Sequence, residues 1–512
     1  MAAGVVIALL ALAPVAYLVV RAAGVADGSL DLVFRARTAQ IIVNTFAMAL
    51  LVGVGAIALG LPIGWLTART DLPARRLLTV LTLIPLAVPS YVLTFAVIGM
   101  LGPTGTLAGL LAPFGVDRIP ALYGLPGAVF VLTLATYPYV AIAVRAAARR
   151  LDPTLLEAAR TLGDDERTAF RRVALPILLP AVTGGALLAI LYALADFGSV
   201  SLLQFDSLSR AIYVQYRGTF DRSLAAVLAL MLAGIALSVA AVEARVRARR
   251  PRVVARARQR PLPPVRLGRW RWPAVLFCVA VVLLALVLPV GTLLVWLVRG
   301  LAAGEPLRLL PEAAANTMLA GGAAAAVAIA LAAPVALLLT RWPGRAARLI
   351  EGATMTTYAL PGIVVALAVV FLATGAIPFL YQTFALLALV YAIRFLPQAL
   401  GPLRDGLGSI SPSLEESARV LGRNGVSAFR TITLPLLRPG LVAGAALVFL
   451  TTAKELPMTL ILAPTGFRTL ATQVWGAVGD GFLARAAPSA LLLVALSLVS
   501  VAFLLRAEDR GA

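Results

Sequence analysis

Two copies of one short loop decide how this sequence folds: Glu157-Ala-Ala-Arg-Thr-Leu-Gly163 and Glu416-Ser-Ala-Arg-Val-Leu-Gly422. Each copy is followed by Ala-Phe-Arg and then by a Leu-Pro pair that opens the next apolar stretch. Over residues 153–180 and 412–439, 14 of 28 aligned positions are identical. The chain is therefore internally duplicated, and its best-matched part is a charged loop between apolar stretches.

Each duplicated loop contains signals for the start and the end of a helix. Asp152-Pro153 and Ser411-Pro412 are typical helix starts, and Thr154-x-x-Glu157 and Ser413-x-x-Glu416 each fit a capping box. Gly163 and Gly422 then stand where a helix ends in a left-handed residue. We predict a short helix, a glycine corner and a second helix in each loop.

The duplication extends along the chain. Asn44-Thr45 and Pro89 recur as Asn316-Thr317 and Pro361 at an offset of 272, and Pro138 recurs as Pro397 at an offset of 259. We predict a first half at 1–243, a basic linker at 244–272 and a second half at 273–512. The first duplicated loop spans about 148–176 and the second duplicated loop about 407–435.

The composition is that of a membrane protein. The 512 residues are 61% hydrophobic and 13% charged, and the mean hydropathy is +0.96. Soluble domains have about 45–50% apolar and about 25% charged residues. Most of this chain must therefore use lipid as its solvent.

Twelve apolar stretches are long enough to cross a bilayer. They lie at about 4–20, 41–68, 77–101, 121–144, 173–195, 223–242, 272–298, 313–340, 352–373, 379–393, 436–453 and 488–505. The first lacks a preceding basic segment, so we interpret it as a retained helix rather than a signal peptide. The predicted fold is an all-α integral membrane protein with about twelve transmembrane helices in two parallel six-helix repeats.

The charges predict the orientation in the membrane. The chain has 44 Lys and Arg against 23 Asp and Glu, a net charge of +21, and the arginine-rich loops follow the even-numbered spans. The positive-inside rule places these loops and both termini in the cytoplasm, although Arg21, Arg35 and Arg37 then lie outside. The positive charge is explained by contact with lipid headgroups rather than by nucleic-acid binding, and the linker is predicted to be a tether on the membrane surface.

Several chemistries are excluded by residue counts alone. The chain has no histidine, one cysteine (Cys278) and one lysine (Lys454), and no glycine-rich loop precedes that lysine. Histidine-based catalysis, cysteine metal clusters and a P-loop are therefore absent from the sequence. We predict a protein that is not an enzyme, holds no cofactor of its own and does not hydrolyse ATP by itself.

The two duplicated loops resemble the "EAA" loops in permease subunits of binding-protein-dependent ABC importers. Two such loops in one chain are similar to the fused permeases, and this resemblance covers nearly all 512 residues. It implies the type I importer permease fold, a multi-pass inner (plasma) membrane location, a homodimeric cytoplasmic ABC ATPase that binds ATP, and a periplasmic or extracytoplasmic substrate-binding protein. The residues implied to couple to the ATPase are Glu157, Ala158, Ala159, Leu162, Gly163, Glu416, Ser417, Ala418, Leu421 and Gly422.

The segments after the fifth and eleventh spans bear on the substrate. Ala193-Leu-Ala-Asp-Phe-Gly-Ser199 and Lys454-Glu-Leu-Pro-Met-Thr459 are similar to segments of ferric iron permeases; thiamine, polyamine and other solute permeases share the architecture or the loop. Asp196 and Glu455 align at the offset of 259, and carboxylates would suit a hard trivalent cation along a substrate pathway. The alternative is structural: Lys454 neutralises Glu455, and Asp196 caps a helix.

Two other classes of protein fit the sequence less well. A secondary transporter is expected to have several ionisable residues within its spans, and a membrane-embedded enzyme needs a polar catalytic cluster. The predicted spans are almost free of charge. The sequence therefore favours an ABC importer permease, with ferric iron as the first candidate substrate and the metal-binding residues undetermined.

Overall fold

The computed structural model describes the chain except for residues 25–34, 103–104, 116–121, 152–154, 156–157, 160, 164, 219–221, 249–263, 308 and 512. The regular elements in the described part are helices. Ten of them are long and apolar enough to cross a membrane, or up to eleven when one sharply bent pair is counted as a span. This confirms the predicted all-α membrane fold.

The main helices, in chain order, are α1 Ala2–Ala23, α2 Ala36–Arg69, α3 Arg75–Leu83, α4 Ser90–Leu101, α5 Thr106–Leu111, α6 Gly124–Arg149, α7 Leu175–Ala195, α8 Gly198–Leu202, α9 Leu208–Gly218, α10 Ser223–Ala248, α11 Arg271–Val282, α12 Leu288–Ala302, α13 Leu309–Arg341, α14 Arg345–Ala359, α15 Gly362–Ala376, α16 Phe384–Ser409, α17 Pro412–Val420, α18 Leu434–Ala453, α19 Pro457–Leu462, α20 Leu470–Gly479 and α21 Leu483–Gly511.

The chain forms two compact units. Unit A comprises Phe34–Ala211 and Gly234–Ala303. Its centre is formed by α2, α6 and α7, which pack against one another, while α11 packs on α3 and α12 on α4. Gly60 and Gly64 let α2 approach α6 closely, because a Cβ at either position would lie 2.6 or 2.7 Å from a backbone oxygen of α6.

Unit B comprises Met1–Val33, Ile212–Ala233 and Gly304–Ala512. Here α13, α16 and α18 pack together in the way that α2, α6 and α7 do in unit A. Ala332 and Ala336, which align with Gly60 and Gly64 at the offset of 272, are fully buried. The helix α1 packs on α14 and α15, so the helix that begins the chain belongs to the unit built around the second predicted half.

The predicted span at 352–373 is not one straight helix. The structure has two helices there, α14 and α15, which are bent by 106° at Leu360-Pro361. The corresponding part of unit A is also broken, at Pro89 between α3 and α4. Proline forces the residue before it out of the helical region, so the helix of each third segment is interrupted at the proline that the duplication shares.

The end of the basic linker is bound to unit A. Val265 accepts a hydrogen bond from the Asp71 amide at 3.1 Å and donates one to the Arg69 carbonyl at 2.7 Å. The Asp71 side chain also accepts from the Leu267 amide at 2.8 Å. Residues 265–267 are therefore held by the protein, and most of the predicted tether, 249–263, lies outside the described residues.

Candidate functional site

The second duplicated loop begins with a capped helix, although the predicted capping box is wrong. The helix α17 starts at Pro412, and the Ser411 side chain accepts from the Ser413 amide at 3.4 Å. Because the N-cap is Ser411, two residues before Ser413, Glu416 lies inside the helix and is exposed. The matching box at Thr154 and Glu157 lies outside the described residues.

Both loops turn at a left-handed glycine, as predicted. The backbone φ angle is +93° at Gly163 and +85° at Gly422. At the second loop the Arg423 amide donates to the Ala418 carbonyl and the Gly422 amide to the Arg419 carbonyl, both at 3.0 Å. This pair of bonds is a Schellman motif, which stops the helix and fixes the direction of the chain beyond it.

Equivalent side chains have the same exposure in the two loops. Ala159 and Ala418 are buried, whereas Leu162 and Leu421 are 87% and 83% exposed. Ala158, Glu416 and Ser417 are also exposed. The same apolar side chain is therefore exposed at the same place in both loops, and Val420, beside Leu421, is 87% exposed as well.

Each loop is anchored to the long helix at the centre of its own unit. In unit A the Phe170 ring lies 4.7 Å from the Trp65 ring of α2 in an edge-to-face arrangement. In unit B Glu415 pairs with Arg341 of α13 at 3.3 Å and accepts from Thr433. Sequence reasoning missed Glu415, because the neighbouring Glu416 is the residue that the duplication repeats.

A π-helical turn lies near the end of each loop, at equivalent positions. Phe170–Ala174 precedes α7, and Phe429–Thr433 precedes α18. π turns are rare and are concentrated at functional positions in helices. Each loop is therefore joined to its span by a wider turn that the sequence pattern did not predict.

The Asp196 cluster consists of Asp196, Ser90, Ser199 and Val200 in unit A. The buried Asp196 carboxylate accepts from the Ser90 hydroxyl at the start of α4, from the Ser199 amide at 2.9 Å and from the Val200 amide at 3.3 Å. The carboxylate therefore caps α8, as the structural alternative predicted, and also holds the broken third segment.

The Glu455 cluster consists of Glu455, Arg394, Gly362 and Met458 in unit B. Glu455 pairs with Arg394 at 3.0 Å and accepts from the Met458 amide at 3.3 Å, which caps α19. Arg394 also donates to the Leu360 carbonyl at 3.3 Å, at the bend between α14 and α15. The cation beside Glu455 is thus Arg394, a residue that the sequence analysis did not single out.

The two clusters differ by three matched replacements. Ser90 aligns with Gly362 at the offset of 272, and Ala135 and Asp196 align with Arg394 and Glu455 at 259. In the second half, glycine leaves room for a guanidinium, which replaces the serine hydroxyl as the donor to the carboxylate. Comparing the duplicated positions would have found Arg394, because it is the charged residue where the first half has alanine.

The repeated Asn-Thr pair also has one role in both units. The Thr45 hydroxyl accepts from the Leu208 amide, and the Thr317 hydroxyl from the Leu470 amide, both at 2.9 Å. Asn44 and Asn316 donate to nearby backbone carbonyls. Each pair therefore holds the first residue of a helix that follows the fifth or eleventh span, α9 or α20.

The fold and the paired loops define a multi-pass membrane transport subunit built from a duplicated unit. The chain belongs to the family described as the inner membrane component of binding-protein-dependent transport systems, which matches residues 60–251 and 307–510. The predicted resemblance is confirmed.

Known transport permeases match this chain over different lengths. The chain is 31% identical over 499 residues to the Fe(3+)-transport system permease protein FbpB 2 of Haemophilus influenzae, covering 96% of this chain and 95% of that protein. It is 23% identical to the ferric transport system permease protein FbpB of Actinobacillus pleuropneumoniae, covering 90% and 70%. A probable molybdenum ABC transporter permease protein of Haloferax volcanii is 30% identical over 38% of this chain and 70% of its own length.

Proposed function

We propose that this protein is the permease of an importer for ferric iron. An extracytoplasmic binding protein delivers the iron, and a separate homodimeric ATPase on the cytoplasmic side supplies the energy. The observation that supports iron is the match over 96% of the chain to an Fe(3+)-transport permease. The molybdenum relative matches only 38% of the chain, so it favours the same class of transporter more than the same substrate.

The proposed coupling surface is the pair of glycine corners. The residues proposed to couple are Glu157, Ala158, Ala159, Leu162 and Gly163 in the first loop and Glu416, Ser417, Ala418, Leu421 and Gly422 in the second. The two exposed leucines enter clefts on the ATPase subunits, while the buried alanines keep each corner packed against its own unit. Both termini lie on the same, cytoplasmic side in this topology.

The proposed cycle follows from how each loop is anchored. When the ATPase dimer closes on ATP, it moves the two corners, and the anchors at Phe170 and Glu415 transmit this movement to α2 and α13. The permease then opens outward and receives the iron. Hydrolysis and reopening release the iron inward. Asp196 and Glu455 remain candidate residues of the substrate pathway. They act on it by positioning the broken third segment of each half.

The test is uptake of radiolabelled ferric iron by cells from which the gene for this protein has been deleted. The cells are complemented with the wild-type protein or with a Leu162→Asp/Leu421→Asp variant. We expect wild type to restore uptake and the double variant to abolish it, because a charge on each corner cannot be buried in an apolar cleft. The variant should still reach the membrane at the wild-type level, since both leucines are exposed in this chain.

The matched control is Leu162→Met/Leu421→Met, which keeps an apolar side chain of similar size and should retain most uptake. Co-purification of the ATPase with each variant separates loss of docking from loss of transport. Iron uptake that is unaffected by removal of the protein would contradict iron as the substrate; molybdate, thiamine and polyamine would then be tested in the same cells. Normal ATPase binding by the aspartate variant would contradict the coupling surface.

A further inference from the structure

Unit B contains an oxygen-lined cavity that the coupling mechanism does not use. The cavity has a volume of about 570 Å³, and its wall includes Tyr213 and Tyr216 of α9, Tyr381 before α16, and Asp480 after α20. Tyr213 and Tyr216 are three residues apart and therefore share one face of α9. In the predicted topology, the three segments that carry these residues lie at the extracytoplasmic end of the spans.

The phenol side chains line one cavity, and two of them contact arginines. The Arg222 guanidinium lies over the Tyr216 ring, 4.7 Å from its centroid. The Tyr213 hydroxyl accepts from Arg217 at 3.0 Å, and the Tyr213 ring packs edge-to-face on Trp475 with centroids 6.4 Å apart. Tyrosines that serve only as anchors at a membrane surface direct their hydroxyls to water and headgroups. Here they line the same cavity as a carboxylate.

Local structure holds the donors in place. Gln382, next to Tyr381, has a φ angle of +54°, an unusual left-handed conformation for a residue with a side chain. At the other wall, Thr317 and Asn316 hold the beginning of α20, which carries Trp475 and leads to Asp480. The repeated Asn-Thr pair therefore also positions one wall of this cavity.

The chemistry of the wall selects a strongly acidic metal ion. A tyrosine phenol ordinarily has a pKa of about 10, so the phenols keep their protons at neutral pH until a metal binds. A hard trivalent cation prefers oxygen donors and is acidic enough to displace phenol protons, whereas a weakly acidic divalent ion is not. Two phenolates and one carboxylate have three negative charges, which balance the charge of ferric iron.

We propose that this cavity is an entry site that receives ferric iron through the oxygens of Tyr216, Tyr381 and Asp480. Tyr213 lines the same wall, and its hydroxyl accepts a hydrogen bond that holds the Arg217 guanidinium beside it. On binding, each of the two phenols loses its proton to solvent as its oxygen bonds to iron, with no change in oxidation state. This proposal rests on ferric iron as the transported substrate.

The test is titration of the purified full-length protein with ferric citrate while the visible spectrum is recorded. Tyrosinate bound to ferric iron gives a ligand-to-metal charge-transfer band that neither partner has alone. We expect this band with wild type, and we expect it to be lost in Tyr216→Phe/Tyr381→Phe. Each single Phe variant should weaken iron binding at least about tenfold, as loss of an interaction that supports a metal site commonly does.

Two controls accompany the titration. Tyr358→Phe removes a half-exposed hydroxyl elsewhere in unit B and should leave the band unchanged. Phenylalanine keeps the ring that packs in each position, and a thermal melt of every variant in detergent checks the fold. Iron import into vesicles that contain the permease, its ATPase and ferric-loaded binding protein is measured in parallel.

The outcomes test the proposed entry site and the proposed substrate separately. A band that persists in the double Phe variant would mean adventitious iron elsewhere and would overturn the site. Iron import by wild type without any band would also overturn the site, while leaving iron as the substrate. Absence of both the band and iron import, in a preparation that imports another solute, would overturn the proposed function together with the site.

Discussion

Removing Arg394 should strongly destabilise unit B, because it leaves the Glu455 carboxylate buried without its cation. The two side chains are only 10% and 11% exposed. After Arg394→Ala, the remaining donor to this carboxylate is the Met458 amide at 3.3 Å. Breaking a buried ion pair from one side costs about 3–5 kcal/mol. We therefore expect a loss of that size in the free energy of unfolding.

The matched cluster of the first half provides the rescue. Adding Gly362→Ser and Glu455→Asp to Arg394→Ala rebuilds the arrangement of Ser90, Ala135 and Asp196. A hydrogen bond to a charged group contributes about 1.5–3 kcal/mol, so this triple variant should regain a large part of the loss. In the wild-type background, Gly362→Ser alone should instead lower the stability. The Cβ of the new side chain would lie 2.6 Å from both the Arg394 and the Glu455 side chains. That crowding costs about 1–3 kcal/mol.

The assay is denaturant unfolding of each purified variant in mixed micelles, analysed as a mutant cycle. Arg404→Ala is the control, since its ion pair with Glu351 at 2.6 Å has the arginine 49% exposed. An exposed pair is worth about 0–1 kcal/mol, so this variant should be close to wild type. Additive effects of Gly362→Ser and Arg394→Ala, or equal losses for Arg394→Ala and Arg404→Ala, would refute the reasoning.

Three further substitutions test a left-handed glycine, a close contact between two helices and a side-chain hydrogen bond to a backbone amide. Gly422→Ala should lower the stability of the second duplicated loop by about 1–2 kcal/mol, because φ is +85° there; proteolysis within the loop measures this, and wild-type resistance would contradict it. Gly60→Val should separate α2 from α6, since even a Cβ would lie 2.6 Å from the Tyr137 carbonyl; a lowered melting temperature in detergent is expected, and an unchanged one would show that the helices can shift freely. Thr317→Val should cost about 1 kcal/mol by leaving the Leu470 amide without its acceptor, and faster hydrogen exchange at the start of α20 would report it, whereas Thr340→Val should leave that exchange unchanged.

The sequence predicted the architecture well because lipid imposes strong rules. A chain this apolar crosses a bilayer as helices, because each helix satisfies its own backbone hydrogen bonds. The approximate positions of most spans therefore followed from the apolar stretches of about 20 residues. The left-handed glycines at 163 and 422 were predictable for a similar reason, since few residues other than glycine accept that conformation easily.

What the sequence did not predict depends on contacts that are distant along the chain. The 106° bend at Leu360-Pro361 lies within an uninterrupted apolar run, and hydropathy does not register a change in direction. The choice of Glu415 over Glu416 as the partner of Arg341 depends on which face of α17 meets α13. The cap of α17 shifted because Ser411 and Ser413 are both competent residues, and local pattern alone did not distinguish them.

The differences between the two halves separate two kinds of feature. Some are kept as the same residue or the same geometry, and others are kept only as a contact that different residues can make. The glycine corners, the π-helical turns and the Asn-Thr pairs are kept as the same residues or the same geometry in both halves. The buried clusters keep their position and their contacts, a carboxylate that caps a short helix and holds a broken segment, while the donor changes from a hydroxyl to a guanidinium. A serine Cβ at position 362 would displace the ends of the Arg394 and Glu455 side chains, so the residues at these positions are coupled. A contact that is rebuilt with different chemistry at the same place acts through the segment that it holds, so Asp196 and Glu455 are best understood as residues that position the third segment of each half.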